Sequence, residues 1–349
     1  MNRRTSAAVE SAPSRSSAKD VAQLAGVSTA TVSRVINSPE RVDADTRRMV
    51  HAAVLKLRYV PHGAARALRS QRSQMVGAVV PSFDYALYAR TTSAMQQVLD
   101  AKGYSLVLAE HHYDLKAELR TTEQLIRRGV DAFVFVGLEH DPGLFTLLQG
   151  YGRPYVLTWG VDSRRRQPSI GFDNRAATVE LTQHLIALGH RRFGLLSAPT
   201  VGNDRAFERG AGVDAALAQA GLDLPNEYRQ YGPIALESAS TMMKCLLALP
   251  APPTAVVATN DVFAVGGMLA CRERGVRIPD DLSITGVDNT DLGATQTPGL
   301  TSVRTPITEI GREAAEQVIA RLEGREYTAF RTLPFAIVRR GSTAPPSPG

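Results

Sequence analysis

SAKDVAQLAGVSTATVSRVIN, residues 17–37, decides how the chain is read. Ser17, with Asp20 three residues on, has the form of a capping box, and Val21, Ala22, Leu24 and Ala25 then give a two-turn helix one apolar face. Gly26 ends that helix, Val27 turns inward, and Ser28 suits the N-cap of a second helix over residues 29–37. Val32, Val35 and Ile36 form the inner face of the second helix; Thr29, Ala30, Ser33 and Arg34 lie opposite. A small Ala22, a glycine at the turn and a β-branched Val32 let two short helices cross closely, as in a helix-turn-helix. Taken alone, the stretch also fits two small helices of any helical domain.

The flanking residues narrow the choice. Asp43 can cap a third helix over residues 44–57, whose Val50, Ala53, Val54 and Leu57 would close a small core over the first two. At KDVAQLAGVSTATVSRVIN (residues 19–37), TRRMVHAAVLKLRYVP (46–61) and AARALRS (64–70) the chain resembles the lactose/galactose repressor (LacI/GalR) family of bacterial transcription factors. More loosely, the resemblance runs on to about residue 335. It implies a homodimer on double-stranded operator DNA, with Thr29, Ala30, Thr31, Ser33, Arg34 and Asn37 toward the major groove. Residues 62–69 are too short for a stable isolated helix; they are a plain linker or, by the resemblance, a hinge helix that orders when two subunits pair on DNA. There Leu68 matches the minor-groove wedge, Ala65 the small residue beside it, and Arg66 and Arg69 would lie near phosphates. Ala67 departs mildly from the family, which often has Ser or Gly.

Charge agrees with this division. Of 40 Lys/Arg and 34 Asp/Glu in 349 residues, residues 1–72 hold 13 and 5, so the excess positive charge sits with the helix-turn-helix and the remainder is slightly acidic. Only that part suits a polyanion. Residues 1–16 are rich in Ser, Ala and Arg without an apolar run, and read as a disordered arm rather than a signal peptide. With no stretch of membrane-spanning length, a soluble cytoplasmic protein is expected. Cys245 and Cys271 sit in helical apolar patterns and are expected to be buried free thiols.

From Met75 onward short apolar runs alternate with helical stretches: MVGAVVP, YSLVLAE, AFVFVGL, PYVLTWG and SIGFD, then FGLLSAP, AVVATND and LSITGVD. Continuous apolar strands separated by helices imply parallel sheets covered on both faces. Two such series predict two α/β lobes with a cleft, the periplasmic-binding-protein-like core that the resemblance also implies. The expected organisation is an arm (1–16), an all-α helix-turn-helix domain (17–60), a hinge and linker (61–73), a ligand-binding and dimerisation domain (74–340) and a disordered tail (341–349). Lobe 1 would comprise about 74–161 and 290–323, and lobe 2 about 162–289 and 324–340.

Ligands of open α/β sheets bind beyond the carboxyl ends of strands. That rule selects residues 81–84, Trp159, Asn260, Asp261, Asp288 and Asn289. Trp159, the one tryptophan, suits either stacking on a sugar ring or packing in the cleft wall. Asp288 suits a hydroxyl-binding carboxylate better than a helix cap, since NTDLG after it is weakly helical. By the resemblance Asp288 and Arg209 are ligand contacts and Leu87 and Tyr88 line the cleft, while Tyr228, Tyr231 and Ile234 compete for one further contact. GFDN, residues 171–174, resembles gluconate-type repressors within the family, and Arg209 would suit a carboxylate.

Other motifs carry less. Gly210, Gly212 and Ala215 imitate a dinucleotide fingerprint but lie inside a helical stretch, away from any strand-to-helix turn. His111 and His112 read as a solvated loop rather than a metal site, and His184 and His190 flank a helix end. No nucleophile elbow appears. The reading is therefore a ligand-responsive repressor taking a sugar or sugar acid, with no cofactor, metal or catalytic residue; an enzyme with an accessory DNA-binding domain and a sugar-transport component are the alternatives, the latter lacking an export signal.

Overall fold

A computed structural model describes residues 16–60 and 72–347. The chain separates into two compact units, one up to Ser73 and one from Gln74.

The first unit contains α1 (Ala18–Ala25), α2 (Thr29–Asn37), a 3-10 turn (Pro39–Arg41) and α3 (Ala44–Lys56). Each helix starts on the cap its sequence offers. Ser17 Oγ accepts from the Asp20 amide at 3.3 Å while the Ser17 amide donates to Asp20 at 2.7 Å; Ser28 Oγ accepts from Thr31 and Asp43 from Thr46. Gly26 ends α1 at φ +65°, a left-handed turn that costs glycine nothing. Val21, Ala22, Ala25, Val32, Val35, Val50 and Ala53 form the core, with Val27, Ile36, Val54 and Leu57 packed against it. Leu24, expected on the inner face, is 44% exposed. Ser16, assigned to the arm, donates to the Leu57 carbonyl.

The second unit holds two six-stranded sheets. In chain order its elements are β1 (Met75–Val80), α4 (Ala86–Ala101), β2 (Ser105–Glu110), α5 (Leu115–Arg127), β3 (Ala132–Val136), α6 (Pro142–Gly150), β4 (Tyr155–Thr158), β5 (Ser169–Gly171), α7 (Asn174–Ala187), β6 (Phe193–Ser197) and α8 (Asp204–Gln219). Then follow β7 (Arg229–Tyr231), α9 (Leu236–Leu247), β8 (Ala255–Ala258), α10 (Asp261–Glu273), β9 (Ser283–Val287), α11 (Asp291–Ala294), β10 (Thr301–Arg304), α12 (Ile307–Glu323), β11 (Phe330–Thr332) and β12 (Ala336–Val338). Lobe 1 has the order β11-β5-β4-β3-β1-β2, and lobe 2 the order β12-β10-β9-β8-β6-β7. All pairings are parallel except β10 with β12. The central strands β3 and β9 are buried along their whole length, as helices on both faces require.

The lobe boundaries differ from those read in the sequence. β5 stays in lobe 1, so the first crossing follows Gly171; β10 belongs to lobe 2, which moves the second to Thr305; β11 returns to lobe 1, so the third lies between Thr332 and Ala336. Hydrogen bonding decides this: the Ser169 amide donates to Ala329, and Leu333 donates back to Gly171. The tail is also ordered through residue 347. Ser342 is fully buried, its carbonyl accepting from the Ile284 amide at 2.9 Å and its hydroxyl from the Thr301 amide at 2.8 Å.

One further expectation fails. Cys271 is buried, and burial pushes its thiol up to about 12, but Cys245 is exposed. Gly212 lies mid-helix in α8, where a methyl would overlap the Thr178 hydroxyl and crowd the Arg175 carbonyl; it is a glycine of close helix packing between α7 and α8.

Candidate functional site

On α2 the two faces differ sharply. Val32 and Val35 are buried at 0% and 1%, whereas Thr29, Ala30 and Arg34 are exposed. Ser33 is partly buried, and the Thr31 hydroxyl lies 3.0 Å from Ser28 Oγ at the cap. Asn37 is the last residue of the helix; its side chain, like Ala65, Leu68 and Arg69, lies outside the described residues. The first turn of α2 and Arg34 thus form a projecting surface fixed by a core on the other side, which suits entry into a groove.

The second candidate lies between the strand ends of the two lobes. Trp159, after β4, and Asp288, after β9, hold φ of +70° and +111°, which non-glycine residues rarely adopt. Such outliers persist where surroundings over-determine them, commonly at ligand sites. The two residues line one cavity with Tyr85, Tyr88, Tyr113, Asn203, Arg205, Arg209, Ile234, Thr259 and Asn260.

Arg209, in α8 of lobe 2, donates from Nε to Asn174 Oδ1 at 2.8 Å and from Nη1 to the Thr259 carbonyl at 2.7 Å, and its Nη2 faces Asp288 at 3.5 Å. Tyr85, at the N-cap of α4 in lobe 1, donates to Asp288 Oδ2. Asn174 donates to the Trp159 carbonyl at 2.7 Å, and Arg90 of lobe 1 pairs with Asp291. These bonds join the lobes directly. Burial pushes the Asp288 carboxyl up to about 7, against the pull of Arg209 and the Tyr85 hydrogen bond, while Asp261 pushes the same way as burial. Tyr85 is raised well above the ordinary phenol value, by burial first and then by Asp288.

Two polar atoms remain without hydrogen-bond partners in this buried setting, Trp159 Nε1 and Asp288 Oδ1. One donates and the other accepts, so a hydroxyl-bearing ligand could satisfy both. The cavity measures about 30 Å³, roughly room for one water. Anything the size of a sugar must therefore part the lobes.

Of the residues selected from sequence, Tyr88, Trp159, Arg209, Asn260 and Asp288 meet here. Leu87 does not: it is 1% exposed in the core of lobe 1, because neighbouring residues on α4 point to different sides. Nor does Asp261, whose carboxylate is consumed within lobe 2 by Ser302 Oγ at 2.6 Å and by the Thr290 amide and hydroxyl at 2.6 and 2.8 Å. Asn260 lines the cavity while its side chain caps α10 through the Phe263 amide. Among the three competitors Ile234 reaches the cavity; Tyr228 donates to Ala251 and Tyr231 is half exposed.

Sequence reasoning missed Tyr85, Tyr113, Asn203, Arg205 and Thr259. Arg205 carried a usable signal, four residues before Arg209 on the same helical face. His111 was also misread: only 2% exposed, it lies 3.7 Å from Glu118, which His140 meets at 2.8 Å, and burial lowers its pKa. This cluster joins the loops after β2 and β3. His112 is exposed beside Glu110. His190 is buried and bonded to Thr254, Ser283 and the Ala344 carbonyl. Among the described residues no cluster of His, Cys, Asp or Glu could hold a metal ion, and no helix is long and apolar enough to cross a membrane.

Comparison with known proteins covers both units. Residues 17–62 match "Bacterial regulatory proteins, lacI family", and residues 182–343 match "Periplasmic binding protein-like domain". The HTH-type transcriptional regulator GntR of Escherichia coli K12 is 30% identical over 310 residues, 89% of this chain and 93% of the relative. The crystal structure of a LacI-family transcriptional regulator from Silicibacter pomeroyi is similar at TM-score 0.85 and 28% identity, covering 94% of this chain and 99% of that one. The lac repressor dimer bound to operator and the anti-inducer ONPF gives TM-score 0.83 at 27% identity, over 94% and 99% of the two chains. With a relative of this identity aligned along nearly its whole length, the chain belongs to the lacI family of bacterial regulatory proteins, DNA-binding regulators of transcription.

Proposed function

We propose that this chain is a homodimeric repressor that reads its operator with α2 and is controlled by a sugar or sugar acid bound between its lobes. The observation that carries the DNA half is the exposed Thr29, Ala30 and Arg34 on a helix whose opposite face is fully packed. Arginine offers a bidentate fork to guanine, with Thr31, Ser33 and Asn37 beside it for further contacts. Leu68 is the proposed minor-groove wedge, between Ala65 and Arg69. One helix-turn-helix reads only a few base pairs, so two copies on a near-palindromic site are needed for useful specificity. The lac repressor, similar over almost the whole chain, was crystallised as a dimer on operator.

Selection of a binding site from random DNA, followed by anisotropy titrations with and without candidate effectors, tests both halves. Arg34→Ala should lose about 1–3 kcal/mol and relax preference at one base position; an unchanged base preference refutes the assignment. An enzyme on the same two-lobed architecture predicts turnover of phosphorylated sugars, and none is expected.

A further inference from the structure

Two buried arginines, Arg205 and Arg209, project from one face of α8 into the same cavity, with Asp288 the one carboxylate of its lining. Their surroundings differ. Arg209 is occupied by the protein itself, through Asn174, Thr259 and Asp288, and Phe172 packs 5.8 Å from its guanidinium carbon. The carboxylate within ion-pair distance of Arg205, among the described residues, is Asp204, at 2.8 Å. Burial works against the charge of Arg205, yet Asp204, Tyr88 and Tyr113 hold its pKa above the ordinary value, so it stays cationic inside the site.

The surroundings of this pair are specific. Gly137, at the end of β3 in lobe 1, has φ +100°, and a methyl on it would overlap the Arg205 guanidinium and crowd Asp204. Lobe 1 thus carries a bare backbone where the arginine of lobe 2 inserts. Asp204 does not line the inner cavity. It faces a second, larger cavity of about 730 Å³ with Gly160, Asp173 and Glu208, and its side chain is 18% exposed against 6% for Arg205. Asp204 can therefore turn outward to water, whereas Arg205 cannot.

Resting on the reading of this cleft as the effector site, we infer that Arg205 is the anion receptor of the cleft and that the effector is a polyhydroxy monocarboxylate. Its carboxylate replaces Asp204 on Arg205, and its hydroxyls meet Trp159 Nε1 and Asp288 Oδ1. Exchanging one carboxylate for another leaves no buried arginine without an anion, so the ligand's charge is accommodated at small electrostatic cost. A neutral polyol would leave Asp204 in place and lack the charge-assisted bond. This moves the carboxylate-binding role from Arg209, whose donors already have acceptors, to its neighbour one turn earlier.

The test uses full-length protein and three acid and neutral pairs: D-gluconate with D-glucitol, D-galactonate with galactitol, and D-glucuronate with D-glucose. Melting temperatures at about 10 mM screen the pairs by mass action, and calorimetry measures the responders. At least one acid should bind about 10- to 100-fold tighter than its neutral counterpart, the range of a charged hydrogen bond. Arg205→Gln should abolish that preference, Arg205→Lys should keep its order at weaker affinity, and Asp204→Asn should tighten the acid. If Arg205→Gln fails to fold, the Arg205→Lys and Asp204→Asn results decide. A neutral sugar that binds as tightly as its acid, or an Arg205→Gln protein that still prefers the acid, overturns the inference and leaves the cleft standing as the effector site. If no compound shifts the melting temperature, the carbohydrate reading of the cleft falls with it.

Discussion

Asp288 is the residue on which the cleft depends, and its burial has a consequence for stability. Its carboxyl titrates near 7 in the folded chain against an ordinary 3.8. Folding therefore favours the protonated form, so its contribution to stability is complete below about 4 and is lost as pH rises through 7. Asp288→Asn keeps the shape, tolerates the left-handed backbone and removes the titration. The melting temperature of wild type minus that of Asp288→Asn should fall between about pH 4 and pH 7 and level off above; a difference that does not change with pH would contradict this. Asp288 could be found from sequence because strand ends mark the ligand edge of a parallel sheet; Arg209, inside α8, was marked by the resemblance alone, which pointed to Asp288 as well. Leu87 and Asp261 were misplaced because each sits one residue from a true lining residue, at a helix start where adjacent side chains diverge. Tyr113 carried no signal at all, since its placement depends on two consecutive left-handed residues, His112 and Tyr113, at +50° and +62°.

At the scale of elements, the long helices follow the sequence pattern because caps and apolar spacing are local. Sheet membership is not local. SIGFD is equally good as a strand of either lobe, and only the Ala329 and Leu333 backbone, distant in sequence, assigns β5 to lobe 1. The three-residue strands β11 and β12 are too short to show alternation. Packing between helices also depends on single positions that look unremarkable in the sequence. Gly212→Ala should push α8 away from Thr178 and Arg175, costing about 1–3 kcal/mol by overpacking. Because Arg209 lies on the same helix, effector affinity should fall as well. Urea denaturation with parallel ligand titration checks both, and wild-type values for both would show that the contact yields freely.

For the whole molecule, the joined lobes imply two states that an effector can bias only by binding one of them better. Asp288→Ala and Arg209→Ala should abolish the effector's influence on DNA while leaving operator binding without effector nearly intact. Leu68→Ala should do the reverse. Coupling of about 1–3 kcal/mol is expected between the two sites, and a full effector response in Asp288→Ala would refute the link. The second unit also leaves an edge strand, β2, with Leu108 45% and Phe83 48% exposed beside a groove that Val80 and Leu106 also line. An apolar edge of this kind needs covering, and a second copy of the chain is the expected partner. Leu108→Lys should shift sedimentation equilibrium toward monomer at micromolar concentration; an unchanged dimer places the interface elsewhere.

The three crossings bear on how the protein is made. Lobe 1 begins at β1 but lacks α12 and β11 until almost everything in lobe 2 has left the ribosome, and lobe 2 in turn waits for β12 and the strap around Ser342. The DNA-reading helices are complete within the first sixty residues. A nascent or prematurely terminated chain thus presents a finished α2 on an unfinished receptor. A stop codon between Glu323 and Phe330 would strip the closing strand from both sheets at once, leaving a product that carries the reading head and no means of answering its effector.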